Sequence, residues 1–214
     1  MAVEGNPGCQ VWAPAPKPGD TVKWNGQCAQ GKATGQGTLT WRFLRDGVEH
    51  GSVYMGILRG GKPHGPGTLT WSNGDRYEGE FRDGLFHGRG VLNWIGRRYE
   101  GEFRDGKSHG RGIYIFPDGG RYEGGIDDGK FHGQGVLTSA SGARYEGEFQ
   151  ADRRHGRGLE TFPDGSRYEG EYRGNLPHGF GDYSVNGERY RGSWMNGCFR
   201  QGRRRATLGA PGPC

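Results

Sequence analysis

The segment Tyr-Glu-Gly-Glu-Phe-Arg-Asp-Gly that begins at Tyr77 returns unchanged at Tyr99, and weaker copies begin at Tyr122, Tyr145 and Tyr168. The steps between these tyrosines are 22, 23, 23 and 23 residues. So fixed a period means stacked copies of one small supersecondary unit, each burying its apolar face against its neighbours. The array extends in both directions. Tyr54 lies 23 residues before Tyr77, and Trp24 opens a further copy 30 residues before Tyr54, so about one extra loop is expected near Arg42–Gly51. Tyr190 opens an eighth copy, which degrades where Arg200-Gln201 replaces His-Gly. Residues present in every copy serve the fold, so function is sought among those that break the pattern.

Within one copy the polarity alternates with period two. Tyr77, Gly79 and Phe81 fall on one side of an extended strand, and Glu78, Glu80 and Arg82 on the other. Asp83-Gly84 then marks a turn. A second run, Gly88-Arg-Gly-Val-Leu-Asn-Trp94, places Gly88, Gly90, Leu92 and Trp94 on one face. Pro117-Asp-Gly and Pro163-Asp-Gly turn the chain into the next copy. Each copy therefore reads as a β-hairpin. Glycine, at 46 of 214 residues, is positional in this reading: Gly79, Gly88 and Gly90 leave space for the tyrosine and phenylalanine rings of neighbouring strands. A single sheet then builds a thin aromatic core without a second layer.

The pattern Tyr-Glu-Gly-x-Phe-x-x-Gly-x-x-His-Gly-x-Gly, repeated from Trp24 to about Phe199, resembles the MORN (membrane occupation and recognition nexus) repeat. The resemblance implies an all-β fold: a single elongated, twisted antiparallel sheet of about eight successive β-hairpins. It also implies a repeat scaffold in place of an enzyme. The expected organisation is a Pro/Gly-rich N-terminal segment over 1–21, the array over 22–200, and a basic then Gly/Pro-rich tail over 201–214.

Candidate sites follow from the pattern. Six histidines, His64, His87, His109, His132, His155 and His178, share one repeat position. Equivalent atoms two strands apart are separated by roughly 9.6 Å, too far for neighbouring units to share one metal ion. The expectation is a turn-end imidazole hydrogen-bonded to local backbone, with no metal and no cofactor. Glu78/Glu80, Glu100/Glu102, Glu146/Glu148 and Glu169/Glu171 sit beside Arg82, Arg104 and Arg173 and read as cross-strand ion pairs on an open face. There is no G-x-x-x-x-G-K-[ST], no G-x-S-x-G and no Cys-x-x-Cys, so no catalytic residue is assigned.

The aromatic face is the remaining candidate. Trp41, Trp71, Trp94, Phe116 and Phe162 recur at one strand end, beside Tyr77, Tyr99, Tyr122 and Tyr145. Two alternatives stand: the face fills itself, or it is a groove for a protein or peptide partner, a second copy of the chain included. Net charge is +5, and Arg203-Arg204-Arg205 is its one basic cluster. That cluster supports an alternative, an adaptor on an anionic membrane surface. Nothing points to nucleic acid.

Cysteines 9, 28, 198 and 214 permit three complete pairings. Cys28 stands where other copies place Phe81 or Phe103, which makes sense for a sulfur with a partner. A Cys9–Cys28 bridge would tie the proline-rich start back as a cover over the first copy; free thiols in a cytosolic protein are the alternative. The start also resembles a segment of exported bacterial MORN proteins. That implies a periplasmic or secreted location, with the leader absent from this chain, and a cytoplasmic one otherwise.

Overall fold

The computed structural model describes residues 1–13, 17–45, 47–210, 212 and 214, Arg45 by its backbone alone. No helix occurs among them, and the chain divides into two compact units, Met1–Lys107 and Ser108–Cys214. The first contains β1 (Ala2–Val3), β2 (Asn6–Gln10), β3 (Thr21–Trp24), β4 (Gln27–Ala29), β5 (Lys32–Arg45), β6 (Val48–Arg59), β7 (Lys62–Trp71), β8 (Arg76–Arg82), β9 (Leu85–Trp94) and β10 (Arg97–Arg104). From β5 onward each strand pairs antiparallel with the next, and β3 and β4 pair along the other edge of β5. The second unit begins with β11 (Lys107–Ile115), β12 (Arg121–Asp127), β13 (Lys130–Thr138), β14 (Arg144–Gln150) and β15 (Arg153–Thr161). It continues with β16 (Arg167–Arg173), β17 (Leu176–Val185), β18 (Glu188–Met195), β19 (Cys198–Gln201) and β20 (Arg204–Thr207), again as successive antiparallel neighbours. The expected all-β hairpin architecture is the observed one.

Register brings glycine opposite glycine. Gly56 faces Gly67, which faces Gly79, and Gly79 faces Gly90. In the second unit Gly124, Gly135, Gly147, Gly158, Gly170 and Gly181 continue such a row. Each tyrosine lies along this row. A methyl group at Gly90 would sit 2.5 Å from the Tyr77 hydroxyl and 2.7 Å from its ring. The hydroxyl crosses the row and donates to the carbonyl three residues on: Tyr77 to Glu80 at 2.8 Å, Tyr122 to Gly125 at 2.7 Å, Tyr145 to Glu148 at 2.9 Å. This is why the position is tyrosine and not phenylalanine: the ring fills the core and its hydroxyl satisfies a backbone carbonyl.

Phenylalanines wedge between successive tyrosines. Phe81 meets Tyr54 and Tyr77 edge-on, both at 5.0 Å between ring centres. Phe103 bridges Tyr77 and Tyr99 in the same way, and Phe149 bridges Tyr122 and Tyr145. A second set stacks flat on the tyrosines, Phe86 on Tyr77 at 3.8 Å and Phe131 on Tyr122 at 3.7 Å. Offset and edge-to-face packing of this kind adds to the area buried.

Gly79 and Gly90 hold the expected ring slots, but Gly88 does not. Its φ is 58°, and equivalent residues Gly65, Gly110, Gly133, Gly156 and Gly179 are all left-handed. Between the Gly79–Gly90 pair and the Glu80–His87 pair the register shifts, so Gly88-Arg89 forms a bulge. The space beside it is taken by the Glu80 carboxylate, not by a ring.

The two glutamates of each unit therefore have different roles, and neither is the expected cross-strand pair. The first pairs along its own strand with the arginine two residues earlier: Arg76–Glu78 at 2.7 Å, Arg98–Glu100 at 2.6 Å and Arg144–Glu146 at 2.7 Å. The second turns into the bulge, where Glu148 accepts the Arg157 amide at 3.0 Å and Glu171 the Phe180 amide at 3.2 Å. Arg82 pairs instead with Asp105 at 3.2 Å. Glu148→Ala is expected to lower stability by about 1–2 kcal/mol, because a bulge amide loses a charged acceptor. Glu146→Ala, at an exposed pair, should cost under about 0.5 kcal/mol. Urea denaturation of both variants separates the two roles.

Asp83-Gly84, Asp105-Gly106, Asp128-Gly129 and Asn196-Gly197 all have positive φ at both residues, as a two-residue hairpin turn requires. The insertion expected as a loop near Arg42–Gly51 is instead a longer hairpin. β5 and β6 stay paired from Trp41–Ser52 out to Arg45–Val48, with Phe43 stacked on His50 at 5.6 Å.

Both termini are tied back by disulfides. Cys9–Cys28, with 5.8 Å between Cα atoms, is the expected bridge; Cys198–Cys214, at 5.5 Å, was not assigned from the sequence. The N-terminal segment does cover the first copy, passing over its β4–β5 turn and on to the β6–β7 turn of the second. The Gln10 amide donates to Gly31 at 2.9 Å, and the Trp12 amide to Gly61 at 2.8 Å. Pro14–Pro16, the rest of the expected proline-rich cover, lie outside the described residues. In the second unit the Leu208 amide donates to Gly197 at 2.8 Å, which lays the tail over the β18–β19 turn.

Candidate functional site

The structure divides the eight aromatic residues expected in a groove into two groups. Tyr77, Tyr99, Tyr122 and Tyr145 are at most 2% exposed and fill the core of their own sheets, so as groove-lining residues they are corrected. Burial pushes the hydroxyl pKa of Tyr122, and of Tyr54 in the first unit, up to about 12. Trp71, Trp94, Phe116 and Phe162 remain half-buried.

In the Met1–Lys107 unit the half-buried rings surround two adjoining hollows. One, of about 520 Å³, lies among Trp12, Trp41, Phe43, Trp71, Leu85 and Phe86. The other, of about 460 Å³, lies among Phe43, His50, Trp71, Phe86, Leu92 and Trp94. Phe43, Trp71 and Phe86 belong to both, so the aromatic side of this unit is one groove with two compartments. Each is within the usual volume of a binding pocket, roughly 300–1,000 Å³. Polar groups sit among the rings: Asp20 and Arg42 in the first compartment, Ser72, Asn73 and Asp75 in the second.

Sequence reasoning missed Trp12, Phe43, His50 and Phe86. Phe86 falls on the face of Gly90, Leu92 and Trp94 under strict alternation, but other copies place Pro63, Ser108, Arg154 and Pro177 at this position, so the repeat did not mark it as a ring site. Phe43 and His50 arrive with the hairpin extension. Trp12 lies in a proline-rich stretch with no periodicity to place it.

The corresponding part of the Ser108–Cys214 unit is more polar. Arg154 and Glu160 replace the Phe/Leu pairs of other copies and form an ion pair with each other. Arg154 stacks over Tyr145 and Tyr172 at 5.6 and 5.4 Å, and the Tyr172 hydroxyl donates to Glu160 at 2.9 Å. Burial, reinforced by the Glu160 carboxylate, raises the Tyr172 hydroxyl well above its ordinary range. In this unit Phe116 stacks near Tyr114 at 6.4 Å.

The other expected sites also have definite places. Arg203, Arg204 and Arg205 are exposed, but strand alternation sends Arg204 to the side opposite its neighbours. There it stacks on Tyr190 at 4.9 Å and donates to the Arg189 carbonyl at 2.6 Å. The three do not form one patch. The histidine position differs from expectation: Nδ1 of His64, His87 and His178 is buried without a hydrogen-bond partner. It is the His87 carbonyl that takes part, 3.5 Å from the Tyr77 hydroxyl. His109 faces Asp127 at 3.3 Å. On the outer side of β6, Val53, Met55 and Ile57 stand exposed where later units carry Arg, Glu and Glu.

The MORN-repeat family profile matches residues 25–42, 54–76, 77–95, 99–121, 122–144, 145–167 and 168–189. The chain belongs to the MORN-repeat family. No curated relative matches it at a significant level. The seven MORN matches begin after Cys9 and Trp12 and end before Cys198, so Cys9–Cys28 joins the first matched repeat to chain before it, while Cys198 and Cys214 both lie beyond the last match. As a MORN-repeat protein the chain is a repeat scaffold suited to binding. Its two disulfides fit an oxidising compartment.

Proposed function

We propose that this MORN-repeat chain is a non-enzymatic scaffold, working in the periplasm or outside the cell, that binds a protein segment in the aromatic groove of its Met1–Lys107 unit. The observation that carries this reading is the pair of adjoining hollows sharing Phe43, Trp71 and Phe86. Tryptophan dominates binding hot spots once it is desolvated. The arginines and first glutamates on the opposite side are already paired with one another and offer a partner little gain.

The test uses peptides selected from a random display library against the oxidised full chain. Trp71→Ala and Trp94→Ala are expected to weaken a selected peptide at least tenfold, about 1.4 kcal/mol. Glu78→Ala, Glu100→Ala and Met55→Lys should change its affinity less than twofold. A thermal melt accompanies each variant. Folded tryptophan variants with full affinity, alongside a loss on substituting Arg203–Arg205, would overturn the groove and favour the anionic-surface alternative.

A further inference from the structure

The first compartment of the groove is not built by repeats alone. One wall comes from the N-terminal segment, whose path is set by the glycine turns it crosses. At the β4–β5 turn the Gln10 amide donates to Gly31. At the β6–β7 turn the chain comes so near that a methyl at Gly61 would meet the Gln10 carbonyl at 2.9 Å and Val11 Cα at 3.2 Å. At the β8–β9 turn the Trp12 ring rests on Gly84, where a methyl would stand 2.9 Å from ring atom Cζ3. All three glycines have positive φ, so a side chain at any of them would be strained, and at Gly61 and Gly84 it would also be in the way. The Lys62 ammonium lies 5.8 Å from the centre of the Trp12 ring, a cation–π distance.

Upstream, the segment is closed on itself and bonded to the array. The Met1 ammonium donates to the Val11 carbonyl at 2.8 Å, and the Val11 amide to the Met1 carbonyl at 2.9 Å. Cys9 is 1% exposed and Val11 2% exposed. Cys9–Cys28 is the covalent tie between this segment and the first hairpin. Trp12, three residues beyond Cys9, is still 37% exposed and lines the hollow. So large a ring, fixed yet partly open beside Trp41 and Phe43, has the character of a binding anchor.

We propose that Trp12 is a binding residue of the groove and that the Cys9–Cys28 disulfide positions it, so that cutting this bond lowers affinity for the partner segment. The inference rests on the protein-binding reading of the same groove. The partner it fits places an apolar side chain between Trp12 and the Trp41–Phe43 wall. Reduction by a dithiol cleaves the Cys9–Cys28 S–S bond: two electrons and two protons pass to the two sulfurs, and the dithiol closes to its own disulfide. The freed segment is then held to the array by noncovalent contacts alone.

The experiment uses the full chain and a library-selected peptide whose binding depends on Trp71. Trp12→Ala is expected to weaken the peptide at least tenfold with an unchanged melting temperature, while Trp12→Phe stays within about threefold. The double variant Cys9→Ser/Cys28→Ser should lose a similar factor. So should dithiol treatment of a Cys198→Ser/Cys214→Ser chain, where intact mass shows Cys9–Cys28 as the one bond opened. A peptide that needs Trp71 but binds Trp12→Ala and the Cys9→Ser/Cys28→Ser chain at full affinity overturns this inference and leaves the groove standing. A library that yields no peptide dependent on Trp71 or Trp94 overturns the groove, and this inference with it.

Discussion

Gly147→Ala is expected to destabilise the Ser108–Cys214 unit by about 2–3 kcal/mol, although it adds one methyl group to a residue at the centre of a strand. That methyl would meet the Arg157 carbonyl at 2.5 Å, Gly158 Cα at 2.6 Å and the Tyr145 hydroxyl at 2.7 Å. Two of these three are backbone atoms of the paired strand and cannot turn aside. Relief requires β14 and β15 to separate and the Tyr145 ring to leave the glycine row. The ring movement breaks its 2.9 Å bond to the Glu148 carbonyl and its edge contacts with Phe149 and Tyr172. Gly8→Ala is the control, since the nearest atom to a methyl there is 3.8 Å away; it should fall within about 0.5 kcal/mol of the parent. Urea denaturation followed by circular dichroism measures both. Equal midpoints for Gly147→Ala and the parent would show that the tyrosine rings do not depend on the glycine row.

Alkali should unfold the protein cooperatively between about pH 10 and pH 12. Burial raises the hydroxyls of Tyr54, Tyr77, Tyr122, Tyr145, Tyr168 and Tyr172, Tyr54 and Tyr122 to about 12. The folded value lies above the unfolded one, which is near 10. The stability held by each neutral hydroxyl is therefore fully present below about pH 10 and is lost as pH rises toward the folded value. Each group costs on the order of 1.4 kcal/mol per pH unit in that window. Six acting together reach on the order of 8 kcal/mol within one unit, comparable to the whole stability of an ordinary domain. Tyrosinate absorbance and circular dichroism recorded on one titration should change together. Tyrosinate appearing gradually from pH 10 while the strand signal persists would show that these rings reach solvent in the folded state.

Both predictions depend on how much of this fold is periodic. The 22–23-residue step, the inward set of Tyr77, Gly79 and Phe81, and the Asp-Gly turns were legible because each is a local rule repeated in every copy. A period-two alternation assigns a face without knowledge of the neighbour. Repetition then supplies the neighbour, since copies with the same alternation stack in the same register. The resemblance carried by these residues held over seven repeats. The glycine rows are the clearest case, as Gly79 and Gly90 were read as ring slots and the Tyr77 ring lies over them.

Where the pairing register shifts, the sequence lost its hold. The bulge at Gly88-Arg89 moves the pairing on by two residues, which keeps Phe86 on the face of Gly90 and sets it opposite Phe81, while the Glu80 carboxylate fills the space beside the bulge. An unbulged register would set Phe81 opposite Gly88; with the bulge Phe86 stands opposite Phe81 and stacks on Tyr77 at 3.8 Å.

The sequence by itself determined the repeat, the inward set of Tyr77, Gly79 and Phe81 and the turns, and it offered a Cys9–Cys28 bridge beside the alternative of free thiols. Only the tertiary structure decided that four tyrosines are core while Trp71 and Trp94 stay half-open. It alone placed Trp12 on Gly84, 72 residues away in the chain, and joined Cys198 to Cys214. The physical reason is the range of the forces involved. Alternation and turn chemistry act over a few residues and are written into each copy, whereas the path of a terminal segment is set by close contacts with turns far along the chain.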